Sequence, residues 1–207
     1  MRFLLVCMPV TWIPGRGYTA NSYIAGTILI DAGVLPSAVE PYRGMIETIV
    51  LTHCHYDHTA HVAEIAQLCN APVAIHSLDA PGLLEDHLSL SLHFGARSPG
   101  ISAQRLLTEG DRIGPLRVLH TPGHTPGSIS LYLEEEKILL SGDTVFTDGG
   151  FGRFDFPGGD RGALGQSIER LAALDVDSLY PGHGNPVEHD GKVHIAAARQ
   201  LFRLGYV

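Results

Sequence analysis

Three imidazoles and a carboxylate fall within six consecutive residues, His53-Cys54-His55-Tyr56-Asp57-His58. These are ligand types for Zn²⁺, Fe and Mn, and a metal site needs several of them converging on one point. A solvated polar loop has no reason to select three histidines at spacings of two and three. Within a turn, His53 and His55 can face one way while Asp57 and His58 face another, which suits two adjacent metals better than one. Ligand-type residues recur at three further places. His124 stands in Thr121-Pro122-Gly123-His124-Thr125-Pro126-Gly127, Asp143 in Ser141-Gly142-Asp143-Thr144, and His183 in Tyr180-Pro181-Gly182-His183-Gly184. Taken singly, each of these three reads equally well as a turn or capping residue. Their shared pattern with the first cluster makes them a set.

The pattern lies in the elements that carry them. Before each, an apolar, β-branched run predicts a strand, and before His124, Asp143 and His183 glycine or proline then turns the chain. Loops held on rigid elements are where chemistry concentrates. Strands are predicted near 2–8, 21–26, 27–31, 46–52, 72–76, 115–120, 128–134, 136–140 and 177–180. Helices are predicted near 59–69, 78–93 (broken by Pro81-Gly82), 161–174 and 192–204. The helix at 161–174 has the clearest period, with Leu164, Ile168, Leu171 and Leu174 on one face and Asp160 as N-cap. Strands grouped with helices predict α/β layers. Many of the 24 glycines stand at the motif turns, where backbone must approach metal and substrate closely.

His-x-His-x-Asp-His, the Thr-Pro-Gly-His-Thr turn, Gly-Asp-Thr and Pro-Gly-His-Gly, in this order, resemble the metallo-β-lactamase superfamily. The stretch Gly152 to Asp160 is similar to the segment after the bridging aspartate in glyoxalase II-like hydrolases and their persulfide dioxygenase relatives. The resemblance covers nearly the whole chain. It implies one domain over 1–207, an αβ/βα sandwich of two mixed sheets with helices outside. It also implies a two-metal site at one sheet edge. His53, His55, His124 and Asp143 would hold the first metal; Asp57, His58, His183 and the same Asp143 would hold the second, with a hydroxide bridging them. Asp57 is then both ligand and catalytic residue. Zinc is the expected metal, with Fe or Mn accepted by the same donors. The implied activity is hydrolysis of thioester or related acyl substrates, glyoxalase II-like. Its alternatives are an iron-dependent persulfide dioxygenase, in which one iron is held by the counterparts of His53, His124 and Asp143, and a lactonase or phosphodiesterase. Glyoxalase II-like relatives carry a helical extension that contacts glutathione; here residues 185–207 follow the last ligand. Phe154 stands where relatives commonly have a small hydroxyl residue.

Other residues carry weaker signals. Arg153, in a glycine-rich loop beside Asp143, is a candidate for binding a substrate carboxylate, and Tyr56 a candidate for the pocket rim. Cys54 is expected to pack behind the site, because adjacent residues in an extended segment point opposite ways. His61 is expected to face away from the ligands. His76 and His120 are read as structural histidines, with a supporting contact to a ligand as the other reading.

Composition bounds the rest. A net charge of −8 gives no general basic face, which argues against nucleic acid and weakens the nuclease branch of the superfamily. With 44% hydrophobic and 17% charged residues the chain reads as globular and soluble, and the resemblance implies a small-molecule substrate. Cys7, Cys54 and Cys69 make no paired framework, which suits a reducing compartment. Met1 to Val10 has a short apolar run and no small-residue cleavage site, so it reads as strand and not as export signal. No run reaches membrane-span length, and the cytoplasm is the expected location.

Overall fold

Strand side chains alternate between faces, and this alternation sets the layers. In β3 (Ile28–Ile30), Ile28 and Ile30 enter one core while Leu29 enters another. The computed structural model describes residues 9–205; the strand expected at 2–8 lies outside them. The first sheet runs β1 (Val10–Ile13), β2 (Ser22–Ala25), β3, β4 (Thr48–Val50), β5 (Val73–His76) and β6 (Arg105–Leu107), side by side. Its first two pairings are antiparallel and the next three parallel. The second sheet contains β7 (Arg112–Ile113), β8 (Leu116–His120), β9 (Ile129–Leu133), β10 (Ile138–Gly142) and β11 (Ser178–Pro181). Its order is β11-β10-β9-β8-β7, and β10 and β11 are its parallel pair.

Ile30, Val50 and Leu107 of the first sheet meet Val118, Leu131 and Leu140 of the second in the central core. The outer face of the first sheet is covered by α1 (Pro36–Val39) and α3 (Val62–Cys69), through Val39, Val62 and Ile65. The outer face of the second is covered by α5 (Arg161–Ala172) and α6 (Gly191–Leu204), through Leu164, Ile168, Leu171, Ile195, Ala198 and Phe202. Two mixed sheets face to face, with helices outside, form the expected four-layer α/β sandwich. Among the described residues no helix is long and apolar enough to cross a membrane.

Several local expectations are corrected. The helix expected at 78–93 is three separate turns: a 3-10 turn at Ala80–Leu83, α4 (Asp86–Ser89), and a second 3-10 turn at Ser91–Phe94. Pro81 removes a donor and Leu90 sits at φ 60, so no helix can run through either point. The helix expected from residue 59 starts instead as α2 (Tyr56–Thr59), stops, and resumes as α3 after His61 at φ −120. Strands β1, β6 and β7 were not expected; β6 and β7 are too short, three and two residues, for alternation to register. Asp160 caps α5 as read, accepting from the Ala163 amide at 2.8 Å, though the helix ends at Ala172, before Leu174.

Candidate metal centre

The ligand-type residues stand at the carboxyl ends of strands from both sheets. His53 and His55 follow β4, and Asp57 and His58 lie on α2. His124 follows β8, Asp143 directly follows β10, and His183 follows β11. At Gly142 the β10–β11 register shifts. A bulge of this kind bends a strand and re-aims the next side chain, here Asp143. Gly182 has to be glycine: a Cβ there would lie 2.1 Å from Asp143 Oδ1 and 2.7 Å from the His58 ring.

All seven predicted ligands converge. They form three overlapping groups, His53/His55/His124, His53/His58/Asp143 and Asp57/His58/His183, with the ligand atoms of each within 4.8 Å of one another. His55 Nδ1 and His124 Nε2 are 2.9 Å apart. Asp57 Oδ2 lies 3.0 Å from His183 Nε2. Asp143 stands between the two ends: Oδ1 is 3.1 Å from His58 Nε2, and Oδ2 is 3.6 Å from His124 Nε2 and 3.5 Å from His183 Nε2. The donors fit divalent cations. His53 Nε2 and His55 Nε2 are buried without a hydrogen-bond partner, each a cost of about 1–3 kcal/mol in the metal-free protein. Nitrogen and oxygen donors without thiolate match Zn²⁺, Fe and Mn.

Residues that the sequence reading missed hold the ligands in place. Asp31, at the end of β3 and 2% exposed, accepts from His58 Nδ1 at 2.8 Å and from the Thr52 amide at 2.7 Å. The Thr52 hydroxyl donates to Asp31 Oδ2 at 2.8 Å and accepts a hydrogen bond from His53 Nδ1 at 3.1 Å. His124 Nδ1 donates to the Arg153 carbonyl at 2.6 Å. Each contact leaves Nε2 bearing the lone pair that a metal needs. Asp79 reaches two ligand loops at once, accepting from the Cys54 amide (2.9 Å), the Thr125 hydroxyl (2.7 Å) and the Gly127 amide (2.5 Å). Asp31 did carry a signal, since it ends an apolar strand as the ligands do and stands two residues before Gly33. Asp79 carried none, because an acidic residue in a loop is ordinary.

The electrostatics follow from seven close ionisable groups. Burial holds His53 well below the ordinary imidazole value, with the His58 and His124 rings adding to it. Burial and His124 push His55 down to about 3. For His58 burial also opposes protonation, but the carboxylates of Asp143, Asp31 and Asp57 together outweigh it and raise the ring well above its usual value. Burial would raise Asp143, yet His58, His183 and His124 hold it far below the carboxylate range. Protonation is therefore favoured at His58 and disfavoured at His53 and His55.

Other candidates fall at or beyond the rim. The Arg153 guanidinium is exposed, forks onto Asp155 at 2.9 and 2.7 Å and stacks 4.2 Å over Phe156. Phe156 in turn meets His55 edge-on at 5.8 Å. Tyr56 packs against Phe94, which also stacks on Tyr18, so these three rings form one wall. Cys54 is packed behind the site, its thiol 3.5 Å from the Leu88 carbonyl and its pKa raised by burial. Cys54 and Cys69 are both free, and Cys7 lies outside the described residues. His61 is outside the ligand groups, near Glu64 at 3.9 Å. His76 and His120 stack on each other at 4.2 Å; His120 hydrogen-bonds the Pro126 carbonyl, and neither supports a ligand side chain. The Phe154 ring packs toward Phe202 of α6, away from the ligands. A cleft of about 480 Å³ opens beside His183, lined by Phe146, Thr147 and Asn185.

Comparison with known proteins places this geometry. The family model of the Metallo-beta-lactamase superfamily matches residues 15–183. A probable metallo-hydrolase of Methanocaldococcus jannaschii, MJ0888, is 37% identical over 82% of this chain and 90% of its own length. The hydroxyacylglutathione hydrolase GloC of Haemophilus influenzae is 33% identical over 75% of this chain and 76% of its own. Among solved structures, TTHA1623 in a di-iron-bound form superposes with a TM-score of 0.73 at 35% identity, covering 81% of this chain and 89% of that one.

Proposed function

Given that the chain belongs to the metallo-beta-lactamase superfamily, we propose that it is a dinuclear-metal-dependent hydrolase of thioester or related acyl substrates. One observation carries the dinuclear part. A single carboxylate, Asp143, faces His124 on one side and His58 and His183 on the other, as a shared ligand must. His53, His55, His124 and Asp143 would hold one cation, and Asp57, His58, His183 and Asp143 the other. Two divalent cations supply a hydroxide at neutral pH and neutralise charge that develops on a carbonyl oxygen.

The protein's own groups do the rest. Asp57 Oδ2, close to both His183 and His58, orients the attacking water. Asp31 and Thr52 keep His58 and His53 from turning. Phe156 and the Tyr18–Phe94–Tyr56 wall offer apolar surface to an acyl or thiol group. A thiolate leaves without a proton, so a thioester needs no separate general acid. Similarity to a hydroxyacylglutathione hydrolase supports this substrate class. The paired groups support two cations, zinc first and iron next, given the di-iron relative. Two free thiols and no spanning helix among the described residues accord with a cytoplasmic enzyme for small molecules.

The test offers S-lactoylglutathione and glutathione persulfide to metal-loaded enzyme while dissolved O₂ is monitored. Thiol release from the thioester at one rate with and without oxygen is expected. Oxygen uptake on the persulfide without thioester turnover, abolished when zinc replaces iron, would replace this reading with a dioxygenase.

A further inference from the structure

Asp79 lies in the segment after β5, contacts no ligand side chain, and is 2% exposed. A buried carboxylate is costly unless it is well hydrogen-bonded. Here the bonds come from two loops distant in sequence. The Cys54 amide belongs to the peptide between His53 and His55. The Thr125 hydroxyl and the Gly127 amide closely follow His124 in the other sheet's loop. His53, His55 and His124 are the three histidines of one ligand group. A backbone bond from the Ile129 amide to the Thr52 carbonyl (2.9 Å) joins the two segments at their base, and beyond it the Asp79 carboxylate holds the loops together.

Gly127 gives independent support. A Cβ there would lie 2.5 Å from Asp79 Oδ1 and 2.8 Å from Asp79 Cβ, so glycine is needed to admit the carboxylate. The other ligand group has its own fixture, since His58 and the Thr52 amide are held by Asp31. Asp79 makes no hydrogen bond to Asp57, His58, Asp143 or His183.

We propose that Asp79 is a positioning residue that sets the spacing of the three-histidine half of the metal centre and leaves the Asp57/His58/His183 half untouched. It rests on the dinuclear reading but not on the thioester reading. Its loss lets the His53–His55 loop and the His124 loop drift apart, and metal ligands whose supporting contacts are lost typically weaken binding about 10–100-fold.

The experiment separates the halves. Chelator-stripped protein is titrated with Co²⁺ by absorption spectroscopy in two backgrounds: His183→Ala, which leaves the three-histidine half, and His124→Ala, which leaves the other. Asp79→Asn should weaken Co²⁺ binding about tenfold or more in the first background, and change it little in the second. Thr125→Val, which removes one of the three donors and keeps the fold's polar demand low, should give a smaller loss with the same selectivity. Equal losses in both backgrounds, or a lower unfolding temperature with unchanged Co²⁺ affinity in the first, would overturn the proposal by making Asp79 a brace of the fold only. Failure of thioester turnover, with this selectivity intact, strikes the activity alone.

Discussion

Asp143 is the residue on which the two halves of the site depend, and its loss should differ in kind from that of a one-sided ligand. Asp143→Ala should deplete both metals, whereas His183→Ala should mainly empty one, as elemental analysis of protein purified without chelator would report. Two tightly held metals in Asp143→Ala would refute its shared role. The seven ligand-type residues were legible in the sequence because four crowd into His53–His58, where histidine is uncommon, and His124, Asp143 and His183 each follow a glycine in a turn. Asp31 and Asp79 were not read, although they hold the ligand loops. Carboxylates are frequent in loops, and what distinguishes these two is burial and a partner far along the chain. The Arg153 signal was positional, and position did not reveal that Asp155, two residues on, already occupies its guanidinium fork.

At the scale of elements, periodicity found the long helices and central strands, where one face is buried and the pattern repeats. It failed over 78–93, where Leu83 is buried but Leu84 and Leu92 are exposed; these residues meet helical spacing without a helix. What holds that segment is polar. Asp86 accepts from the Ser98 amide at 2.7 Å and from Arg97 and Ser91. The Ser98 amide, then Arg97, lowers its pKa from 3.8 to about 2. A depressed carboxylate stabilises the fold above its unfolded pKa, and that contribution disappears as pH falls through the folded one. The loop carrying Phe94 should therefore loosen between about pH 4 and about pH 2. Amide hydrogen exchange at Ser98, corrected for intrinsic rate, should rise across that window. In Asp86→Asn it should be fast at pH 7 and flat in acid; flat exchange in the unaltered protein would show that the contact does not hold the loop.

For the molecule as a whole, the layer order was readable from strand and helix grouping, but the pairing of strands was not. Residues such as Val10 and Ala25, partners in the first sheet, carry no mark of each other. The ligands come from both sheets, so bound cations should link them. Removing metal with a chelator should lower the unfolding temperature. Restoring it to about one hundred times its dissociation constant should return about 2.7 kcal/mol. Differential scanning calorimetry before and after chelation checks this; an unchanged transition would mean that the ions add nothing to the cohesion of the sheets.

Strands β4, β8, β10 and β11 all present their ligands at carboxyl ends, while the tight turns at Gly26-Thr27, Gly114-Pro115 and 134–137 join neighbouring strands at the opposite end. The stack of two sheets thus has a working end and a blank end. A fluorophore, an affinity handle or a solid support coupled at Glu135 would hang from the blank end, leaving the cleft beside His183 facing open solution. The same turn is where the chain could be cut and its ends rejoined elsewhere with least disturbance to the metal loops.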